Sequence, residues 1–122
     1  MALFAFAPVA VLALSVLGSP VAPPASSFQL SIQDTAGHLS TASLACDPAG
    51  GSHPKSHVAC NSIRSVDGDF EHLPTRHQMC SMIYSPVDVT AVGDWRGVPV
   101  AFKATYPNRC AASAESSGVF SF

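Results

Sequence analysis

The sequence predicts an α+β domain, a mostly antiparallel sheet covered on one face by one or two short helices and stapled by disulfides. Three observations carry this expectation. Several segments alternate apolar and polar residues, as half-buried strands do. One segment alone spaces its apolar residues at helical intervals. Four Cys in a chain of 122 residues are an even count, which in a short exported chain reads as disulfides.

The first 27 residues are read apart from the fold. Met1 to Leu17 is almost continuously apolar, and Gly18, Ser19, Pro20 and the small-residue run Ala22 to Ser27 follow. This pattern fits the apolar and small-residue regions of a secretory signal. The basic start of such a signal is missing, since no Lys or Arg precedes Lys55. Residues 1–27 are therefore expected to be a signal peptide or the remnant of a leader, and the expected location is extracellular. An uncleaved membrane anchor is the alternative, but a bilayer needs about 20 apolar residues and this run is shorter and holds Pro8. No membrane partner is expected for the mature form.

The remaining stretch, residues 28–122, is one small domain. Phe28-Gln29-Leu30-Ser31-Ile32-Gln33 alternates strictly and reads as a strand. Asp34 to Gly37 is a turn. Leu39 to Cys46 is a second strand with Ala42, Leu44 and Cys46 on one face, and Asp47 to Gly51 is a loop. Ser52 is placed to cap a helix starting near Pro54, with Ala59, Ile63 and Val66 as its apolar stripe and Gly68 as its stop. From Asp69 to Met79 no period is visible, Pro74 breaks any helix, and an exposed connection is expected. Val87, Val89 and Ala91 open a third strand, and Val98, Val100, Phe102, Ala104 and Tyr106 form a fourth. Gly93-Asp94-Trp95-Arg96-Gly97 between them reads as the hairpin turn. Pro107 ends the fourth strand, and Val119 to Phe122 reads as a short fifth.

The four Cys are Cys46, Cys60, Cys80 and Cys110. Three connectivities are open, and the local pairing of Cys46 with Cys60 and Cys80 with Cys110 is the simplest. Each bridge would stabilise by about 3–4 kcal/mol in the loop-entropy model.

Charge excludes some functions. Six Lys+Arg stand against eight Asp+Glu, a net charge of −2, so a phosphate-binding basic surface is absent and no nucleic-acid partner is expected. No Gly-x-Ser-x-Gly, Gly-x-x-x-x-Gly-Lys or His-Glu-x-x-His occurs, so no catalytic residue is assigned and no enzyme is expected. Asp67, Asp69 and Glu71 lack the Gly and closing Glu of a calcium loop and read as a solvated acidic patch. His53 and His57, with Cys60, are weighed as zinc ligands and set aside in favour of surface histidines and a disulfide. His72 and His77 are treated in the same way. Trp95 reads as a packing or edge residue. No cofactor and no metal are expected.

One segment differs in kind. Met79-Cys80-Ser81-Met82-Ile83-Tyr84-Ser85-Pro86-Val87 joins an irregular polar stretch to a strong strand. Met82 is flexible and apolar, suited to an apolar pocket. Ile83 is β-branched and favours extended backbone. Pro86 fixes one φ and biases Ser85 to extended geometry. A protease-facing loop would be built this way. An ordinary disulfide-anchored approach to a strand would use the same residue types.

With Gly50-Gly51-Ser52-His53-Pro54, Gly93-Asp94-Trp95-Arg96-Gly97, Asn108-Arg109-Cys110 and the Val119-Phe120-Ser121-Phe122 end, this loop makes the chain resemble the Streptomyces-type subtilisin inhibitor family of secreted serine protease inhibitors. The likeness covers about residues 28–122. It implies a five-stranded antiparallel sheet with two short helices, and the pairings Cys46–Cys60 and Cys80–Cys110. It implies a reactive bond at Met82–Ile83, with Met82 filling the primary specificity pocket of a subtilisin-like, or chymotrypsin-like, serine protease. Met79, Cys80, Ser81, Tyr84 and Ser85 would be the other contacting loop residues, supported by Pro86 and Asn108. Ser81 stands where members often carry Pro. The resemblance also implies a homodimer through the exposed sheet face, where Val92, Pro99 and Ala101 are apolar. The rival class is a secreted, disulfide-stapled binding or structural module without inhibitory activity.

Overall fold

The computed structural model describes residues 5, 8–12 and 22–122. Most of the expected signal or leader segment, and the membrane-anchor alternative with it, lies outside the described residues. No helix among the described residues is long and apolar enough to cross a membrane.

Four strands form one antiparallel sheet in the order β2-β1-β3-β4. They are β1 (Ser26–Asp34), β2 (Leu39–Cys46), β3 (Val87–Trp95) and β4 (Val98–Tyr106). There are two helices, α1 (Ser56–Ser65) and α2 (Arg109–Glu115), and a 3-10 turn at Phe70–His72 follows α1. The fold is α+β with two helices and two disulfides.

Alternation decides the strands. Phe28, Leu30 and Ile32 are buried in β1, opposite Leu44, Ala42 and Ser40 of β2 and Gly93, Ala91 and Val89 of β3. Each large apolar side chain fully buried here contributes about 1.5–3 kcal/mol. Helix α1 adds Ala59, Cys60 and Ile63 to the same core, and Cys46–Cys60 bonds it to β2 with 5.6 Å between Cα atoms. β1 begins two residues before the predicted strand, because Ser26 is buried and its Oγ accepts the Arg96 amide at 2.9 Å.

Five expectations are corrected. The sheet has four strands, not five: Val119–Phe122 does not pair. Ser117 (φ 52°) and Gly118 (φ 91°) turn the chain after α2, and Val119 and Phe120 then plug the core between helix and sheet. The β3–β4 turn is shorter than predicted. Only Arg96 (φ 48°) and Gly97 (φ 83°) leave the ladder, a two-residue turn whose positive φ angles match strand twist. Gly93 stays in the strand because a Cβ there would lie 2.0 Å from the Ser27 carbonyl oxygen of β1. Helix α1 starts later than expected and Ser52 does not cap it. The Ser52 hydroxyl instead accepts the Ser43 amide at 2.8 Å, and the Lys55 amide is taken by His53. The connection after Asp69 is not wholly exposed, since Phe70 is buried against Phe28 and Phe102. His53, expected at the surface, is also buried.

Helix α2 had no periodic signal of its own. Its sequence, Arg-Cys-Ala-Ala-Ser-Ala-Glu, is too short and too small to show one. The Asn108 side chain starts it by accepting the Ala111 amide at 2.7 Å.

Candidate functional site

The segment from Leu73 to Pro86 has no regular structure, yet its middle is held at several points. Upstream, the Arg76 amide donates to the Ala114 carbonyl of α2 at 2.7 Å, and its guanidinium donates to Ser113 Oγ and to Gln78 Oε1. Cys80 is bonded to Cys110 of α2, with 5.6 Å between Cα atoms. Downstream, the Ser85 amide donates to the Pro107 carbonyl at 2.8 Å, and Val87 then pairs with Tyr106 as β3 begins. Pro86, half-buried, leads into that strand.

Between these anchors the loop projects. Met79 and Met82 are each 100% exposed, Tyr84 78% and Ile83 68%, against a core whose apolar side chains are almost wholly covered. A run of four large apolar residues left in water is costly unless a partner covers it. Ser81 and Ser85 are exposed between them.

Asn108 sits behind the projecting segment. Its carboxamide nitrogen donates to the Ser81 carbonyl at 3.2 Å and to the Ile83 carbonyl at 2.9 Å. Those two carbonyls flank Met82. The same side chain's oxygen caps α2, so one residue locks loop and helix together. A shallow cleft of about 290 Å³ lies behind the loop, walled by Ser81, Ile83, Asn108 and Cys110 on the site side and Asp34 across from them.

The structure brings together Cys80, Ser81, Met82, Ile83, Ser85 and Asn108, all read as site residues in the sequence, around one exposed stretch of chain. Arg76, Gln78 and the Pro107 carbonyl belong to the same assembly and had no sequence signal. Their role depends on which backbone groups of α2 and β4 end up opposite the loop, and no local pattern reports that.

The other candidates fall away from the loop. Cys60 is in a disulfide, and among the described residues no group of His, Cys, Asp and Glu is arranged to hold a metal ion. His53 precedes α1, and its Nε2–H donates to the Val119 carbonyl at 2.8 Å while Nδ1 accepts the Lys55 amide at 2.9 Å. Burial pushes its pKa down, opposed in part by the bond to Val119. His72 pairs with Asp69 at the surface, 2.7 Å apart. Asp67 accepts the Trp95 indole N–H at 2.9 Å, so the acidic stretch helps seat a buried Trp. A cleft of about 540 Å³ opens beside that Trp and away from the projecting loop.

Residues 24–108 match the family model described as subtilisin inhibitor-like. Subtilisin inhibitor-like protein 5 of Streptomyces fradiae is 41% identical over 90 residues, covering 72% of this chain and 84% of that one. Trypsin inhibitor STI2 of Streptomyces longisporus is 34% identical over 120 residues, covering 88% of this chain and 83% of that one. Among solved structures, Streptomyces caespitosus sermetstatin, in its complex with Bacillus licheniformis subtilisin, superposes with a TM-score of 0.62 at 31% identity, covering 80% of this chain and 98% of that one.

Proposed function

Starting from the chain's membership of the subtilisin inhibitor-like family, whose members are protease inhibitors rather than enzymes, we propose that this protein is a secreted inhibitor of subtilisin-type serine proteases with its reactive bond at Met82–Ile83. One observation carries the reading: the bond lies in an exposed loop whose flanking carbonyls are both bonded to Asn108.

The mechanism is that of a substrate that binds well and leaves slowly. The loop from Met79 to Ser85 adds to the protease as an extended strand. Met82 enters the primary pocket, Cys80 and Ser81 occupy the acyl side, and Ile83 and Tyr84 the leaving side. Because the loop is already held in one shape, little conformational entropy is lost on docking. The protease serine attacks the Met82 carbonyl. When the bond breaks, the acyl side stays tied to α2 through Cys80–Cys110, and the new amine of Ile83 stays tied through the Ser85–Pro107 bond and β3. Asn108 holds both carbonyls across the gap. The amine therefore remains beside the acyl carbon, and religation outruns hydrolysis by effective concentration.

An apolar pocket accepts the thioether of Met82. A pocket with a buried carboxylate does not, because Met brings no cation to pair with it. Subtilisin-like proteases are the target class, with chymotrypsin-like ones next.

The mature domain is read as starting after the leader at residues 1–27, and the two disulfides suit an oxidising, extracellular setting. A homodimer through the outer sheet face belongs to the same reading. Val92, 57% exposed in β3, lies opposite Ala101 and beside Pro99 of β4, which supports an apolar patch there.

The test is a titration of fixed subtilisin with the purified domain, followed by mass analysis. Near-stoichiometric loss of activity, with any cut confined to Met82–Ile83, is the expected result. Full subtilisin activity in the presence of the correctly bonded protein overturns the reading.

A further inference from the structure

We propose that Met82 is a site of oxidative modification, and that converting its thioether to the sulfoxide switches the loop from inhibitor to non-inhibitor of proteases with an apolar primary pocket. The inference rests on Met82 as the specificity residue.

Three observations point to it. After Met1 the chain has two methionines, Met79 and Met82, and both lie in the loop. Each is 100% exposed, whereas cores ordinarily shelter this residue type. All four Cys are paired in disulfides, so the two thioethers are the sulfurs open to a two-electron oxidant in residues 22–122. The anchoring of the backbone by Asn108 and Cys80 keeps the Met82 side chain turned outward rather than folded onto the body of the domain.

The chemistry needs a peroxide and nothing from the protein. A sulfur lone pair attacks one peroxide oxygen, an S–O bond forms as the O–O bond breaks, and the second oxygen leaves as water. The sulfur is oxidised by two electrons and the peroxide is reduced by two. The product carries a strongly polar S=O group on a flexible stem. An apolar pocket offers that oxygen no donor, so seating it there leaves a desolvated acceptor unpaired. Bound inhibitor is shielded because the protease covers the loop, so the free protein is the form that responds. Thiol-dependent methionine sulfoxide reductases, which restore the thioether, would make the switch reversible.

The experiment starts with untreated protein titrated against subtilisin, which reads the inhibitor function alone. Aliquots are then exposed to hydrogen peroxide, mapped by peptide mass for added oxygen, and titrated again. The apparent inhibition constant is expected to rise roughly a hundredfold as Met82 sulfoxide accumulates. Met79→Leu should show the same rise. Met82→Leu should have one constant before and after peroxide, whatever its value, and protein oxidised within the preformed complex should keep Met82 unmodified. A potent untreated inhibitor whose constant stays fixed once Met82 is fully sulfoxide overturns the inference while sparing the inhibitor function. So does a Met82 thioether that survives peroxide at levels converting free methionine. Untreated protein that leaves subtilisin fully active overturns the inhibitor function and this inference with it.

Discussion

Asn108 reaches the two peptide carbonyls on either side of Met82, at 3.2 Å to Ser81 and 2.9 Å to Ile83, from a single carboxamide nitrogen. Its oxygen is engaged by the Ala111 amide at the start of α2. The residue thus acts in two capacities that substitution can separate. Asn108→Ala removes both, and its thermal stability should fall by about 1 kcal/mol, the ordinary value of a helix cap. Asn108→Asp keeps an oxygen for the cap and removes the donor. It should melt close to the wild type, yet be cut at Met82–Ile83 at least tenfold faster during prolonged incubation with subtilisin, as followed by mass. Equal cutting rates would remove Asn108 from the loop's support.

Met82→Lys should move inhibition toward proteases with a buried carboxylate in the primary pocket. The Lys ammonium then meets a charge that Met cannot satisfy. Inhibition constants against trypsin and subtilisin measure this directly. A folded Met82→Lys protein without gain against trypsin would mean that another residue enters the pocket.

The Cys80–Cys110 bridge closes a sequence separation of 30, and Cys46–Cys60 one of 14. The second lies in the core and the first at the loop. Replacing Cys80 and Cys110 together by Ser should cost about 3–4 kcal/mol of stability and turn the protein toward an ordinary substrate, because a cut loop is no longer tied on its acyl side. Time courses of residual protease activity should show inhibition that fades within the assay. Persistent inhibition by a folded double variant would shift the tether to Asn108 and the Arg76 contacts.

His53 sets an acid limit on the fold. Its ring is neutral, donating from Nε2 to Val119 and accepting at Nδ1 from Lys55, so a second ring proton has no acceptor. Burial lowers its pKa below the ordinary value of 6.5. Below about pH 6.5 the unfolded chain takes up a proton that the folded chain resists, so stability falls with pH in that window and is flat above it. Asp34 and Asp47 have lowered pKa values as well, the first chiefly through the His38 amide and the second through Arg64, and their contributions are lost as the pH falls through the ordinary carboxylate value of 3.8 and below. Melting temperatures from pH 8 to pH 5 should therefore decline below pH 6.5 in the wild type and much less in His53→Gln. Parallel curves would assign the decline to another group.

Much of this protein was legible residue by residue. Strict alternation marked β1, because a strand with one face in the core must place an apolar side chain at every second position. The loop from Met79 to Val87 stood out because large apolar residues, a Cys and a Pro occur together where no strand or helix period runs. The helical stripe of Ala59 and Ile63 located α1, and the cysteine spacing left the local pairing as the simplest. All of these are local patterns, and local patterns survive in the order of the residues.

Tertiary structure decided the remainder. Val119 to Phe122 reads as a short strand from its apolar residues, but strand formation needs a partner edge, and the turn at Ser117 and Gly118 delivers Val119 and Phe120 to the core instead. His53 looked like a surface residue because nothing nearby in sequence announces a carbonyl 66 residues away. Which carbonyls Asn108 holds, and that Arg76 and Pro107 anchor the loop at its two ends, follow from how β4 and α2 pack beside it. The chain order alone therefore marked the loop that stands exposed, and packing across long sequence distances decided how firmly it is held.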